Sequence, residues 1–282
     1  MKIKLSKKFK TFILFLLCFV IVFLGINIYQ NQNIQVNEIT VKSEHLPENF
    51  AGYKIAHISD LHNAEFGENN EKLLLKIKEV KPDIIVITGD IVDSRQTNVQ
   101  IARDFINNAS EIAPVYYVTG NHESRVGAEN QIESVQLNEN INILHNKSVI
   151  LEKSESEIQI IGVDDPDYAL ADDSFAYMNN ELEKYGDNDH FKILLSHRPE
   201  LFDVYKEHNI DIVFSGHAHG GQVRLPFVGG VIAPHQGLFP KYDSGLYTED
   251  NTNMIVSRGV GDSIIPLRIN NPPEIIIVTL DK

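Results

Sequence analysis

From Thr11 to Ile28 the chain is apolar except for Thr11 itself and Asn27, and it carries no charge. Eighteen such residues wound as a helix span about 27 Å, close to the hydrocarbon thickness of a bilayer. The pattern predicts a transmembrane helix rather than a buried core helix. Residues 30–50 are polar, with single apolar residues between Asn, Gln and Glu, and read as a short stalk leading into a first strand. Beyond them apolar, β-rich runs alternate with helical patterns. Strands are predicted at Tyr53–Ile58, Ile84–Thr88, Val115–Thr119, Ile141–Leu144, Ser148–Glu152, Glu157–Val163, Lys192–Ser196, Ile212–Ser215, Met254–Ser257 and Glu274–Leu280. Helices are predicted at Asn69–Glu79, Asn98–Asn108, Ala128–Leu137, Ser174–Glu183 and Arg198–Lys206. Strand–helix alternation in the first half predicts parallel β-α-β units. The second half is strand-rich and broken by Gly-Gly pairs at 220–221 and 229–230. With no internal repeat, the expected organisation is a stub and anchor over 1–29, a stalk over 30–50 and one globular domain over 51–282.

Charge refines the reading of the N-terminus. Lys2, Lys4, Lys7, Lys8 and Lys10 precede the apolar run, and no Lys or Arg follows it until Lys42. That asymmetry predicts a single-pass anchor in the cell membrane, its N-terminus cytoplasmic and the rest extracellular. A cleaved signal peptide is the rival. The run is longer than a usual signal core and no A-x-A-like site follows it before Gln30, which favours the uncleaved anchor. Cys18, the single cysteine, lies mid-run without the small residues a lipoprotein signal places before its Cys. One cysteine also excludes a disulfide framework and a Cys-rich metal site. The net charge is −14, and removing the five N-terminal lysines leaves −19 on residues 11–282. Such a polyanion offers no broad basic surface for nucleic acid, and nothing in it points to a protein partner. Any phosphate chemistry needs a concentrated local positive charge.

Residues with metal-ligand chemistry fall just beyond the ends of the apolar strands. They are Ser59-Asp60-Leu61-His62, Gly89-Asp90-Ile91-Val92-Asp93, Gly120-Asn121-His122-Glu123, Ser196-His197-Arg198-Pro199 and Gly216-His217-Ala218-His219-Gly220-Gly221. In an extended segment residues two apart point the same way, so Asp60 with His62, and His217 with His219, can each face one ion. Open α/β sheets bind ligands at the carboxyl ends of their strands, where these segments are expected. A lone Asp there is most often a turn or helix cap, and a lone His is most often a surface or satisfied core residue. Five caps arising independently would not supply this mixture of donors.

The ordered set D-x-H, G-D-x-x-D, G-N-H-E, H and G-H-x-H resembles the calcineurin-like metallophosphoesterase family, over roughly Tyr53 to Leu280. Gly220-Gly221-Gln222-Val223-Arg224-Leu225-Pro226, Tyr242, Gly245-Leu246-Tyr247 and Ser257-Arg258-Gly259-Val260-Gly261 look like its bacterial envelope branch. The resemblance implies a four-layer α/β-β/α sandwich behind the N-terminal helix. It assigns Asp60, His62, Asp90 and His219 to one metal, and Asp90, Asn121, His197 and His217 to the other. Asp90 would bridge them, a carboxylate being able to offer an oxygen to each ion. The mixed imidazole and carboxylate set suits two divalent ions of Mn, Fe or Zn better than Ca. A hydroxide held between the ions would attack the phosphorus in line. His122 would serve the leaving oxygen as general acid and contact the phosphate.

Several of the remaining polar residues carry two readings. Asp164 and Asp165 line the substrate cleft or form a turn before Pro166, and Arg258 holds a phosphate or a structural salt bridge. Asp93 orients a ligand or caps a turn. His57 reads as core or as support for a ligand. His235, in a loop near the Gly-rich segment, is placed for a substrate contact that nothing else in the sequence supports, while His45, His145, His190 and His208 read as surface residues. The expected function is hydrolysis of a phosphodiester borne by a small molecule, a lipid head group or an envelope polymer. The alternatives are an extracellular phosphomonoesterase or nucleotidase, and a non-catalytic metal-binding scaffold of the same fold.

Overall fold

The computed structural model describes residues 6–127, 132, 138–186, 188–262 and 268–282. Helix α1, Lys7–Gln32, starts where the Ser6 side chain accepts a hydrogen bond from the Phe9 N–H at 3.2 Å. It is long and apolar enough to cross a membrane. Its apolar side chains are exposed apart from the half-buried Ile13, and Asn27 alone is buried. It is therefore not a core helix.

Strands β1 (Gln35–Lys42), β2 (Lys54–Ile58), β3 (Ile84–Thr88), β4 (Val115–Val118) and β5 (Ile141–Ile143) build the first sheet with β16 (Glu274–Asp281), in the order β1-β16-β2-β3-β4-β5. The second sheet contains β6 (Lys147–Lys153), β7 (Ser156–Gly162), β8 (Phe191–Leu195), β9 (Ile212–Ser215), β14 (Gly245–Glu249) and β15 (Thr252–Val256). Its order is β14-β15-β9-β8-β7-β6. Short hairpins β10–β11 (Arg224–Leu225, Gly229–Gly230) and β12–β13 (Ile232–Ala233, Gly237–Leu238) interrupt the chain between β9 and β14.

Strand alternation sorts side chains onto two faces. Ile55, Val86, Val118, Ile160, Ile193, Phe214 and Ile276 meet in the layer between the sheets. The other face of the first sheet, with Ala56, Ile58, Ile85 and Ile87, is covered by α2 (Glu71–Val80) and α3 (Val99–Ser110) through Leu73, Ile77, Phe105 and Ile106. The other face of the second sheet, with Ile161, Leu194, Val213 and Met254, is covered by α5 (Ser174–Leu182) and α6 (Phe202–Glu207). The result is the expected four-layer α/β-β/α sandwich. Strands buried on both faces read as continuous apolar runs, which is why β3, β8 and β9 stand out in the sequence. The parallel strands β2, β3 and β4 end on the same side, as do β8 and β9.

Three segments differ from the sequence reading. Residues 35–42 are not a stalk: they form β1, paired in parallel with β16 from Gln35↔Glu274 to Lys42↔Asp281. As an edge strand it keeps half its side chains wet, so Asn37, Glu38 and Thr40 hide the signal of Val36, Ile39 and Val41. Strand β14 was masked by the same mixed polarity. A short helix α4, Asn121–Val126, begins inside the G-N-H-E segment. The helix expected over 128–137 lies, apart from Ile132, outside the described residues.

Phe214 is fully buried between the sheets and meets the His57 ring edge-on at 5.1 Å. Phe214→Ala should lower unfolding free energy by about 3–5 kcal/mol, whereas the exposed Leu75→Ala should change it by under about 0.5 kcal/mol. Denaturant titration of the detergent-solubilised chain reads both. Equal losses would place Phe214 outside the cooperative core.

Candidate metal centre

The five polar segments leave the ends of β2, β3, β4, β8 and β9 and turn inward over the seam between the sheets. Asp60, His62, Asp90, Asn121, His122, His197, His217 and His219 are all buried. The local backbone is not the extended one the sequence suggested. Asp60 (φ 53°), His62 (φ 46°), Asp90 (φ 51°), His217 (φ 65°) and His219 (φ 47°) are left-handed. Each such residue other than glycine costs roughly 1–2 kcal/mol. Backbone bonds between the turns hold them there: Asp60 N–H to Gly89 O at 3.0 Å, His62 N–H to Asp90 O at 2.9 Å and Gly261 N–H to Asp60 O at 2.7 Å. Asp60 and His62 do converge, by tight turning rather than by strand periodicity.

One ligand-type atom from each of Asp60, His62, Asp90 and His219 lies within 4.8 Å of the others, and a second such group joins Asp90, His197 and His217. Asp90 belongs to both. Its Oδ2 is 3.6 Å from His62 Nε2 and 3.2 Å from His197 Nε2, while its Oδ1 accepts the His122 backbone N–H at 2.8 Å. A single oxygen therefore faces both groups, not one oxygen each. On the first side His219 Nε2 is 3.1 Å from Asp60 Oδ1 and 3.2 Å from His62 Nε2. On the second, His217 Nδ1 is 3.1 Å from His197 Nε2, and one end of the Asn121 carboxamide is 2.9 Å from His217 Nδ1. Turned one way that amide satisfies Arg125 with its oxygen; turned the other, the oxygen faces the histidines.

The donor chemistry fits cations. His197 Nδ1 donates to Thr88 O at 2.6 Å, which leaves Nε2 to face Asp90. Ligating histidines characteristically spend their second nitrogen in this way. Nδ1 of His62 and His219 are buried with no hydrogen-bond partner among the described residues. Burial opposes the charge on Asp60 and Asp90, but the facing histidines hold both carboxyls well below the usual range. Burial likewise opposes a charge on His197, yet Asp90 and Asp60 push its pKa up to about 10. Carboxylates packed against ring nitrogens need positive charge between them, from a proton or from a metal ion in its place, and imidazole with carboxylate suits Mn, Fe or Zn.

Glu123, to which the sequence reading gave no role, organises this centre. Its carboxylate accepts backbone N–H groups from Asp90 at 2.8 Å, Val92 at 2.9 Å and Gly120 at 2.7 Å, tying the loop after β3 to the start of α4. Burial and Asp90 push its pKa up to about 7, against the three donors that favour the charge. Gly120 and Gly216 are small because the carboxylates lie on them: a Cβ would strike Asp90 at the first and Ser59 and Asp60 at the second.

Residues 53–221 match the calcineurin-like phosphoesterase family. The chain belongs to that family. It is 31% identical over 257 residues to the uncharacterized metallophosphoesterase YkuE of Bacillus subtilis (strain 168), covering 88% of this chain and 85% of that one. It is 28% identical over 239 residues to the phosphodiesterase YaeI of Escherichia coli (strain K12), covering 83% and 84%. A dimetal phosphatase from Danio rerio matches in structure with a TM-score of 0.48 at 12% identity, over 74% of this chain and 88% of that one. This calcineurin-like phosphoesterase is a metal-dependent phosphoester hydrolase with a clustered His/Asp site.

Two expected substrate contacts have other partners. The Asp164 carboxylate, buried, takes Thr119 Oγ1 at 2.8 Å and His145 Nδ1 at 2.9 Å, so it braces the end of β4 and His145 is not a free surface residue. Arg258 pairs with Glu274 at 2.7 Å and reaches Gln35 at 3.0 Å, fastening β1 to β16; its structural reading holds. Asp165 clasps the buried Arg198 guanidinium, whose Nη1 lies 2.9 Å from His235 Nδ1. His235 in turn is 2.9 Å from His217 Nε2, which brings that loop residue onto the second group. Asp93 caps Arg95 N and pairs with its guanidinium. His57 is core, bonded to Thr88 Oγ1 at 2.8 Å.

Glu123→Gln keeps one acceptor oxygen and Glu123→Ala keeps none. Metal affinity should fall by about 10–100-fold in the alanine variant, less in the glutamine variant, although Glu123 touches no ion. Titration of metal-stripped protein with Mn, read by calorimetry, checks this. Unchanged affinity in both would make the three N–H bonds irrelevant to the centre.

Proposed function

We propose that this chain hydrolyses a phosphodiester at a centre of two divalent ions, with Asp60, His62, Asp90 and His219 around one and Asp90, Asn121, His197 and His217 around the other. The carrying observation is the single Asp90 oxygen facing both histidine groups. Ions held there would supply Lewis-acid activation of water and of the phosphoryl oxygens. The likeness to a protein named phosphodiesterase supports the diester over the monoester. The full donor set speaks against a scaffold that has lost activity.

His122 stands beside this centre, its ring 4.5 Å from that of His62. The Ser94 N–H donates to His122 Nδ1 at 3.0 Å, so the ring carries its proton on Nε2. Its backbone N–H, bound to Asp90 Oδ1, fixes where the ring stands. Burial and His62 hold its pKa down to about 4. Were the ring protonated on both nitrogens when substrate binds, Ser94 Oγ, 3.2 Å from Nδ1, would accept the Nδ1–H hydrogen bond. His122 then gives the Nε2 proton to the leaving oxygen.

The proposed setting is the cell membrane: α1 as a single-pass anchor, the five lysines on the cytoplasmic side and the sandwich outside. The polyanionic surface suits a substrate presented locally rather than gathered by long-range attraction.

Chelation should abolish hydrolysis of bis(p-nitrophenyl) phosphate, and Mn, Fe or Zn should restore it; a faster rate on p-nitrophenyl phosphate would support the monoesterase instead. His122→Ala should keep its metal. It should lose about 10²–10⁴ in rate on an alkyl phosphodiester and much less on the aryl one, because p-nitrophenolate leaves without a proton. Equal losses would make His122 a phosphate contact only, and loss of metal would make it a ligand.

A further inference from the structure

The end of the sandwich that carries the metal centre is also the end that α1 enters. Helix α1 runs into β1 at Gln35, which pairs with Glu274, and β16 is antiparallel to β2 with Ile276 opposite His57. Gln35 is therefore level with the end of β2 from which Asp60 emerges. The last turns of α1 are fastened there. Asn31 Nδ2 donates to Arg268 O at 3.0 Å, and Asn27 Oδ1 accepts the Asn270 N–H at 3.2 Å.

The same strip holds the β10–β11 hairpin. Arg224 N–H donates to Ile269 O at 3.0 Å, and Asn270 Nδ2 donates to Arg224 O at 3.3 Å. From this base the chain presents Leu225, Phe227, Val228, Ile232, Leu238 and Phe239, which are between 43% and 110% exposed. At the hairpin tip the Val228 N–H closes onto Leu225 O at 3.2 Å, with Pro226 and Phe227 between. Phe227 is left-handed (φ 66°) and its side chain is wholly exposed. A turn built for water places Gly or Asn at such a position. Six exposed large apolar side chains within residues 225–239 depart from the single, scattered apolar residues normal on a soluble monomer.

We infer that Leu225–Phe239 is a second membrane contact, seated in the headgroup layer of the bilayer that α1 crosses, and that the metal centre takes a phosphoester borne by a lipid in that layer. The inference rests on the proposed anchor and phosphoesterase activity. What selects the bilayer as occupant is position. The hairpin base at Arg224 shares the Arg268–Asn270 strip with the last turns of α1, and the Val231 N–H to Val223 O and Phe239 N–H to Val231 O bonds tie the second hairpin to the first. The exposed Ile28 and Tyr29 mark the passage from hydrocarbon to interface. The loop is also part of the site wall. Val231 N–H donates to Gly221 O at 3.1 Å, two residues past His219, and His235 lies against His217. Apolar side chains lodged at the acyl boundary would hold that wall, and with it the mouth of the centre, against the lipid headgroups.

The test uses the full chain with Cys18→Ser, carrying a fluorescent NBD label at Phe227→Cys or at Asn251→Cys. Asn251 is exposed in the β14–β15 turn, at the opposite end of the sandwich. Each is reconstituted in phosphatidylcholine/phosphatidylglycerol vesicles. At position 227 the emission should shift to the blue, be quenched by lipids bearing a nitroxide near the headgroup and be shielded from iodide; at 251 the reverse should hold. Quenching by iodide alone at both positions overturns the inference. So does self-quenching between labelled copies at 227 without lipid quenching, which would assign the patch to a second chain. The same vesicles are assayed on bis(p-nitrophenyl) phosphate. Failure there strikes the phosphoesterase reading and leaves the depth result standing, while hydrolysis without lipid quenching strikes the membrane contact alone.

Discussion

A buried carboxylate that two groups of histidines approach from opposite sides is the constraint on which this structure turns. Asp90 sits out of water at the end of β3, where an uncompensated charge would cost several kcal/mol. Its Oδ1 is satisfied by a backbone N–H of α4, and its Oδ2 faces imidazoles from the loops after β2 and β8. Only a fold that ends parallel strands from two sheets on one side can bring those loops together. The apolar layer between the sheets fixes their separation, and helices on the outer faces bury the second side of the strands.

The site is expensive for the backbone. Five of its residues are left-handed, and glycines stand where carboxylates press on the chain. Cross-loop bonds offset this strain: Glu123 gathers three N–H groups from two loops. Arg268, buried, spends its guanidinium on the carbonyls of Arg258, Gly261 and Asn271. Gly261 also bonds Asp60 O, so the strip that receives the end of α1 is linked through Arg268 to a residue of the metal centre. The end of α1, the apolar loop and the His/Asp cluster are parts of one end of the molecule.

Much of this was readable in the sequence, for a physical reason. Buried parallel strands leave unbroken apolar runs, and the chemistry follows them immediately, so each motif comes already placed. What escaped lay where that logic is weak. Edge strand β1 has polar positions on both faces and read as a stalk. Asp60 and His62 were expected to converge through strand periodicity and do so through left-handed turns, which no hydropathy pattern encodes. Asp164 and Arg258 carry phosphate-compatible chemistry but find Thr119, His145 and Glu274 first, and such long-range pairing is invisible without coordinates. Glu123 had a usable signal: a carboxylate at the third position of a helix that begins at Asn121 is placed to accept N–H groups at its own start. The apolar loop from Leu225 to Phe239 broke the expectation of polar connections and was passed over as a Gly-rich interruption.

The central claim is that Asp90 is shared. Its most direct test is elemental analysis of purified, metal-reconstituted protein, comparing wild type with His62→Ala, His197→Ala and Asp90→Asn. The shared-carboxylate account predicts two ions per chain in the wild type, loss confined mainly to one ion in each histidine variant, and depletion of both in Asp90→Asn, whose amide is a poor bridge. An Asp90→Asn protein that retains two tightly held ions would contradict it.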